Sequence, residues 1–213
     1  MKITKYVHSC VLVETPDRVA LFDPGGWSWE SGVFDLDKID RIDRIAITHE
    51  HGDHFSPDFV KAVLAKFPQA HVIANEAVTA AVRSAGIEAT FRGQETGCLK
   101  PFEAPHAPIE PFGPTPSNNG FHFQDLFTHP GDSHQFIESK KVLAMPFIAP
   151  WGRIPDAVKL VQKLKPKYVL PIHDWHYTEE ATKWAYGAMK EYMLGPQGIE
   201  VLTPAPGEPL ELD

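Results

Sequence analysis

The chain is poor in cysteine and has no long apolar segment. Cys10 and Cys98 are its only cysteines among 213 residues, so a disulfide framework is excluded. One bridge between the two stays open, but free thiols are expected, with Cys10 as a small core residue. No apolar run approaches the roughly 20 residues of a membrane-spanning helix, and residues 1–5 lack the apolar core of a signal peptide. We therefore expect a cytoplasmic protein without a membrane partner.

Positive charge is also in short supply. Lys and Arg number 20 against 28 Asp and Glu, which gives a formal net charge of −8. Nucleic acid is therefore not an expected partner, because it binds clustered basic residues. A small-molecule substrate is expected instead, and a homo-oligomer is left open. A hydrophobic content of 43% predicts a soluble globule, a single domain over residues 1–213.

Strand and helix signals fall into two groups along the chain. Val11–Val13 and Val19–Phe22 predict a hairpin, and Ser56 before a proline predicts the start of a helix. Residues 120–127 predict a further strand, and Thr178–Met193 predicts a long last helix. Strands in two groups, each followed by helices, predict two sheets packed face to face with helices outside.

What the chain does contain is a dense histidine motif. The motif has the spacing HxHxDH and consists of His49, His51, Asp53 and His54. It follows Arg44–Ile47, a short apolar run that predicts a buried strand ending in a loop. Imidazole nitrogens and carboxylate oxygens are ligands that zinc prefers. Four such groups exceed what one tetrahedral ion usually takes from six residues, so we predict two adjacent ions. The first would bind His49 and His51, and the second would bind Asp53 and His54.

Three further ligand candidates stand where other predicted strands end. His106 follows a strand-like stretch and lies between two prolines. Asp132 comes after the predicted strand 120–127, and His173 comes directly after Tyr168–Ile172. Each therefore occupies the kind of position that the HxHxDH motif occupies, and together they would complete the ligands of two ions.

Several of these assignments have rivals. His122 and His129 compete with His106: the first alternates with phenylalanines in a strand pattern, and the second adjoins the Gly-Asp pair. Asp132 by itself is compatible with an ordinary turn residue. His8 is compatible with a buried core histidine.

The ligand order resembles that of the metallo-β-lactamase superfamily. That superfamily's series is HxHxDH, then a histidine, then Gly-Asp, then a histidine. The resemblance covers residues 8 to about 173. The segments Val7-His8-Ser9, Phe22-Asp23-Pro24-Gly25 and Gly131-Asp132-Ser133 look most like its small hydrolases related to L-ascorbate-6-phosphate lactonase. The resemblance implies an α/β (α+β) fold, a four-layered αββα sandwich with a metal site at one edge of the sheets.

The resemblance also implies a ligand set and a chemistry. The ligands are His49, His51 and His106 for one ion, Asp53, His54 and His173 for the other, and Asp132 as the bridge. Nitrogen and oxygen ligands without thiolate favour two Zn²⁺ ions, with Mn²⁺ or Fe²⁺ as alternatives. A hydroxide held between the ions would attack the substrate. The catalytic residues would be Asp53, which orients the hydroxide or takes its proton, and His8, which only the resemblance places near the site.

We therefore expect a metal-dependent hydrolase that cleaves an ester or lactone bond of a small molecule. A phosphodiesterase acting on a small phosphorylated substrate is the alternative. A third hypothesis is a non-catalytic member of the fold that keeps its metals for stability or serves as an interaction module.

Overall fold

The structure is a computed structural model that describes residues 1–87, 90–91 and 97–213. The chain divides into two compact units. Unit one consists of Met1–Pro101 with Pro204–Asp213, and unit two consists of Phe102–Thr203. The expected single domain over residues 1–213 stays a prediction.

The described residues form thirteen strands and five α-helices. The strands are β1 (Lys2–Lys5), β2 (Val11–Glu14), β3 (Val19–Phe22), β4 (Arg44–Ile47), β5 (His71–Ala74), β6 (Thr90–Phe91), β7 (Leu99–Glu103), β8 (Asn119–Phe123), β9 (Phe127–His129), β10 (Val142–Pro146), β11 (Tyr168–Ile172), β12 (Glu200–Val201) and β13 (Pro209–Glu211). The helices are α1 (Gly26–Glu30), α2 (Pro57–Lys66), α3 (Glu76–Ser84), α4 (Ile154–Leu164) and α5 (Glu179–Ala188). Short 3₁₀ turns cover Leu36–Lys38 and Gly195–Gln197, and a π-helical turn, Met189–Met193, follows α5.

Unit one contains a seven-stranded sheet in the order β13-β1-β2-β3-β4-β5-β6. The pairs from β13 to β3 are antiparallel, and those from β3 to β6 are parallel. The predicted hairpin is confirmed as β2 and β3, in which Val11 pairs with Phe22. Because β3 and β4 are parallel neighbours, their carboxyl ends meet at one sheet edge. The residues that follow them, Asp23 and Thr48, therefore come together.

Helix α2 gives unit one much of its core. Ser56 caps the helix as predicted, since its hydroxyl oxygen accepts a hydrogen bond from the Phe59 amide. Phe59 and Val63, one turn apart, are fully buried in a cluster that includes Ile45 and Ile47 of β4. Burying such a side chain stabilises a fold by about 1.5–3 kcal/mol. This packing holds the end of β4, and hence the start of the loop over residues 48–54 that carries the HxHxDH motif, called the histidine loop below.

The second sheet has six strands in the order β12-β11-β10-β9-β8-β7, and all of them except the first residues of β7 belong to unit two. Strands β9 to β12 pair in parallel, whereas β8 and β9 are antiparallel. The predicted strand over residues 120–127 is wrong: it is a hairpin, since Gln124 turns the chain with φ of +52° and Phe121 pairs with His129. The turn contains neither glycine nor proline and lies between Phe123 and Phe127. The sequence pattern therefore resembles one continuous strand. The last helix begins after Thr178 as predicted but is α-helical only to Ala188.

Two mixed sheets with five helices make the described chain an α/β protein, which confirms the predicted fold class. Both cysteines are free, as expected, and Cys10 is fully buried. Burial raises the pKa of the Cys10 thiol, so this group stays protonated at neutral pH. Within the described residues, no helix combines the length and apolar character required to cross a membrane.

Gly25 lies directly against the backbone of the histidine loop. Its neighbour Gly26 donates a hydrogen bond to the Gly52 carbonyl (2.7 Å). A Cβ atom on Gly25 would lie 1.7 Å from the carbonyl oxygen of Asp53. Only glycine therefore permits this approach, which holds the loop against the end of β3.

Gly25→Ala should lower the free energy of unfolding by about 2 kcal/mol or more, because the added methyl group overlaps backbone atoms. The matched control is Gly187→Ala in α5, where an added Cβ meets nothing within 4 Å. That change should be neutral or stabilise by up to about 1 kcal/mol. Urea unfolding of both variants measures the difference, and equal midpoints would contradict this account of Gly25.

Candidate metal centre

The loop after β4 carries the donor groups of unit one. His49 and His54 are fully buried, and their ring centroids are 4.1 Å apart. The amides of His54 and Phe55 both donate to the His51 carbonyl, so a tight turn folds the second half of the motif back on the first. Nε2 of His49 lies 3.1 Å from Nδ1 of His51. The structure thus brings the motif's histidines together within unit one.

A buried carboxylate determines which nitrogen of His54 can bind a metal. Oδ2 of Asp23 accepts hydrogen bonds from His54 Nδ1 (2.7 Å) and the Thr48 hydroxyl (2.8 Å), and Oδ1 accepts one from the Thr48 amide (2.8 Å). Because an ionised carboxylate only accepts, Nδ1 of His54 carries the proton and Nε2 carries the lone pair. The Thr48 oxygen lies 3.0 Å from Nδ1 of His49. That hydroxyl gives its proton to Asp23, so it accepts from His49, whose lone pair is likewise on Nε2.

The two predicted catalytic residues lie side by side in unit one. Nε2 of His8 lies 3.1 Å from Oδ2 of Asp53, and Nε2 of His54 lies 3.7 Å from the same oxygen. The His8 side chain is buried, whereas that of Asp53 is 18% exposed. His8 has a φ of +63°, an uncommon conformation for a residue with a side chain. Its ring also contacts Trp27 edge-on, with centroids 4.6 Å apart.

In unit two, one carboxylate oxygen lies between two histidines. Oδ2 of Asp132 is 3.4 Å from Nε2 of His106 and 3.1 Å from Nε2 of His173. The indole N–H of Trp151 donates to the same oxygen (3.1 Å). All three predicted ligands are buried, with at most 4% of each residue exposed. Asp132 is thus no solvent-facing turn residue, although its turn composition alone allowed that interpretation.

Backbone carbonyls set the orientation of both histidines in unit two. Nδ1 of His106 donates to the Ala107 carbonyl, and Nδ1 of His173 donates to the Ile148 carbonyl (2.8 Å). A carbonyl only accepts, so in each ring Nε2 carries the lone pair and faces Asp132. His173 has a φ of +65° directly after β11. A residue in the left-handed conformation turns the chain sharply at this point. This turn and the hydrogen bond to the Ile148 carbonyl together fix the orientation of the His173 ring.

Asp174, which follows His173, is held by the last helix. The hydroxyl of Tyr186 in α5 donates to Oδ2 of Asp174 (2.9 Å). Burial, followed by the nearby Asp174 charge, raises the pKa of Tyr186 well above its ordinary value. The hydroxyl therefore stays protonated at neutral pH and can donate to the carboxylate.

The two rivals of His106 have other contacts in unit two. His122 stacks on Phe102 (centroids 4.2 Å apart), and its Nδ1 lies 2.9 Å from the Thr128 hydroxyl. His129 is fully buried, and its Nδ1 accepts a hydrogen bond from the Gly131 amide. His129 thus supports the turn before Asp132.

The donor groups of both units fit a zinc-type cation. Metal–nitrogen bonds of 2.0–2.1 Å in tetrahedral geometry place two ligand atoms about 3.4 Å apart. In unit one, the candidate ligand atoms of His49 and His51 are 3.1 Å apart. In unit two, the ring nitrogens lie 3.1–3.4 Å from Oδ2 of Asp132, so both separations are close to that value. Neither group includes a thiolate, as expected for an ion with nitrogen and oxygen ligands. Fixed Nδ1–H donors on four histidines are the outer hydrogen bonds that metal-binding imidazoles normally make.

Comparison with known proteins identifies the family. Residues 2–173 match the model of the family described as Beta-lactamase superfamily domain. The chain belongs to this family. Protein Rv0786c of Mycobacterium tuberculosis is 31% identical over 202 residues, which are 90% of this chain and 92% of that protein. The superfamily inferred from the ligand series is thereby confirmed, whereas the closer resemblance to lactonase-like hydrolases stays a prediction.

Solved structures show the same fold. Igni18, a metallo hydrolase from Ignicoccus hospitalis, superposes with a TM-score of 0.72 at 19% identity, over 100% of this chain and 99% of that chain. The isothiocyanate hydrolase from Delia radicum gut bacteria gives a TM-score of 0.65 at 14% identity, with the same coverage of both chains. At such low identity these likenesses concern the fold alone.

Sequence reasoning missed Asp23 and Trp151, which hydrogen-bond to the candidate ligands His54 and Asp132. Asp23 follows a strand as the ligands do, but the Pro-Gly-Gly after it indicated only a turn. Its position after β3, the parallel neighbour of β4, was the signal that could have revealed it. Trp151 lies in an irregular segment, and nothing in the sequence pairs it with Asp132.

Asp23→Asn should weaken zinc binding about 10- to 100-fold, the usual effect of losing such an outer hydrogen bond. Asparagine offers one accepting oxygen for three donors, so either His54 or Thr48 would face an NH₂ group. Chelator competition measures the affinity. Asp17→Asn, in the exposed turn before β3, is the control with the same loss of charge. Affinities within threefold of the parent for both variants would remove Asp23 from this role.

Proposed function

We propose that the protein is a metal-dependent hydrolase that uses two divalent ions to cleave an ester or lactone bond of a small molecule. Membership of the superfamily supports the hydrolase class. The observation that carries the metal dependence is the fixed set of imidazoles. His49, His54, His106 and His173 each direct Nδ1–H to an oxygen and carry the lone pair on Nε2. Zinc is the first choice, because the donors are imidazole and carboxylate.

The ligand pairing in this proposal is the one that the resemblance implies. His49, His51 and His106 would hold one ion, Asp53, His54 and His173 would hold the other, and both would share Asp132. Such ions would lower the pKa of bound water toward neutrality and polarise a carbonyl oxygen. The chain's own groups would orient the water and the substrate.

Asp53 would accept the proton of the attacking water, and His8 would orient Asp53. The His8 Nε2–H donates to Oδ2 of Asp53, which holds the carboxylate in one orientation. Since the Asp53 side chain is partly exposed and that of His8 is buried, water can reach the carboxylate but not the imidazole. Asp53 is thus suited to accept a proton from an attacking water, and His8 to position Asp53.

The charges near Trp151 support the choice of ester or lactone over phosphodiester. A phosphorylated substrate is commonly bound by Arg or Lys, and Arg is the better bidentate donor. Arg153, two residues from Trp151, makes a two-fold contact with Asp156 (2.9 and 3.3 Å) instead. The motifs that resemble those of lactonase-like hydrolases support a lactone as the bond that is cleaved.

A hydrolysis screen of the zinc- or manganese-loaded protein over lactones, thioesters and phosphodiesters tests the substrate class. We expect kcat/KM for the best lactone or ester to exceed that for the best phosphodiester at least tenfold. The reverse ratio would replace the proposal with the phosphodiesterase. Full metal content without turnover of any substrate would favour the non-catalytic alternative.

The protein should bind close to two ions per chain, and Asp132→Asn should release at least one of them. The amide keeps the shape of the side chain but loses the charge that offsets repulsion between two cations. A loss of ~4 kcal/mol of transition-state stabilisation would slow turnover about a thousandfold. Elemental analysis and kcat/KM on the same sample measure both effects.

His122→Ala is the matched control, because His122 contacts Phe102 and Thr128 rather than Asp132. It should keep both ions and activity within a few-fold of the parent. A parent protein that binds no more than one ion after reconstitution would contradict the dinuclear proposal. Two ions and near-parental activity in Asp132→Asn would remove Asp132 from the site.

A further inference from the structure

One asparagine side chain links the segments that carry His106 and Asp132. Asn118 immediately precedes β8 and is only 6% exposed. Its Nδ2 donates to the Ala104 carbonyl (2.6 Å) and the Pro130 carbonyl (2.9 Å). Its Oδ1 accepts a hydrogen bond from the Asp132 amide (3.3 Å). The side chain therefore uses both donors and its acceptor on buried backbone groups.

These three contacts lie within two residues of the proposed ligands. Ala104 stands two positions before His106, and Pro130 two positions before Asp132. A further bond joins the same segments directly, from the Ala107 amide to the Asp132 carbonyl (2.8 Å). Both segments are thus tied to each other and to Asn118, which restricts the separation of His106 Nε2 and Asp132 Oδ2, 3.4 Å.

The loop between the two anchored points explains why such a link is needed. Residues 108–117 are largely exposed, and Phe112 within them is 81% exposed. A loop with so little packing cannot position the residues at its ends. Asn118 joins the two ends of this loop through its hydrogen bonds to Ala104, Pro130 and Asp132. The position of His106 therefore depends on buried hydrogen bonds rather than on the loop.

We propose that Asn118 is a positioning residue for two metal ligands, His106 and Asp132. This inference rests on the proposed function, in which both residues bind metal. Asn118 binds no ion itself: it sets the spacing of the ligand atoms before an ion arrives. A loop anchor without this role would affect stability and leave the ligand geometry unchanged.

The test compares Asn118→Asp with Asn118→Ser, using Co²⁺ as the probe ion. Aspartate keeps the acceptor for the Asp132 amide but turns an anionic oxygen toward the carbonyls of Ala104 and Pro130. Serine is shorter and removes the paired donation without adding charge. Asn119→Ala, one residue further along, is the control. Each protein is assayed by circular dichroism without metal, chelator competition for Co²⁺ affinity and the ligand-field absorption of the Co²⁺ form.

We expect both Asn118 variants to fold, to bind Co²⁺ at least tenfold more weakly and to show an altered ligand-field spectrum. Asn119→Ala should match the parent in all three measurements. Parental affinity and spectrum in a folded variant would overturn the inference, even if urea unfolds it more easily. Failure of Asn118→Ser to fold would overturn it too, because the side chain would then serve folding itself. A parent protein that binds no Co²⁺ would instead contradict the proposed function.

Discussion

In each unit, the candidate ligands depend on the fixed protonation of their histidines. An imidazole binds a metal only through a nitrogen that has a lone pair, and which nitrogen that is depends on where the other one donates. In unit one, the acceptors are the buried Asp23 carboxylate and the Thr48 hydroxyl. In unit two, they are the backbone carbonyls of Ala107 and Ile148. Each ring is thus prepared for metal binding by a group that is not itself a ligand.

The cost of this arrangement explains the architecture around it. Removing a carboxylate from water costs several kcal/mol unless hydrogen bonds replace the solvent. Asp23 is fully buried and receives three hydrogen bonds from two residues. Those donors are in reach only because β3 and β4 are parallel neighbours that end at the same edge. Gly25 then allows the loop backbone to approach this edge. In unit one, the sheet topology therefore supplies the acceptor that orients His54.

Family membership and substrate are separate matters in this fold. Catalytic metals and their ligands determine what kind of bond can be attacked, whereas loops determine which molecule is bound. The isothiocyanate hydrolase shares the fold at 14% identity, a likeness that says nothing of the substrate here. The ester or lactone assignment therefore depends on sequence motifs and on charge near Trp151, and hydrolysis measurements decide it.

Local patterns were sufficient for much of the fold. The hairpin, the capped start of α2 and Tyr168–Ile172 follow from alternation, a serine before a proline and a short apolar run, all of which act over a few residues. The strand predicted over residues 120–127 was wrong, because a turn at Gln124 without glycine leaves no local signal. The change from α-helix to a π-helical turn after Ala188 was also missed.

The sequence by itself determined the superfamily and the ligand candidates, because the HxHxDH motif and the later His, Gly-Asp and His have a characteristic order. Only the tertiary structure showed that His122 stacks on Phe102 and that His106 lies beside Asp132. It also identified Asp23, Trp151 and Asn118 as hydrogen-bond partners of the candidate ligands His54 and Asp132. The physical reason is that a ligand's residue type is a property of one position, whereas the hydrogen bond that orients it comes from a distant part of the chain.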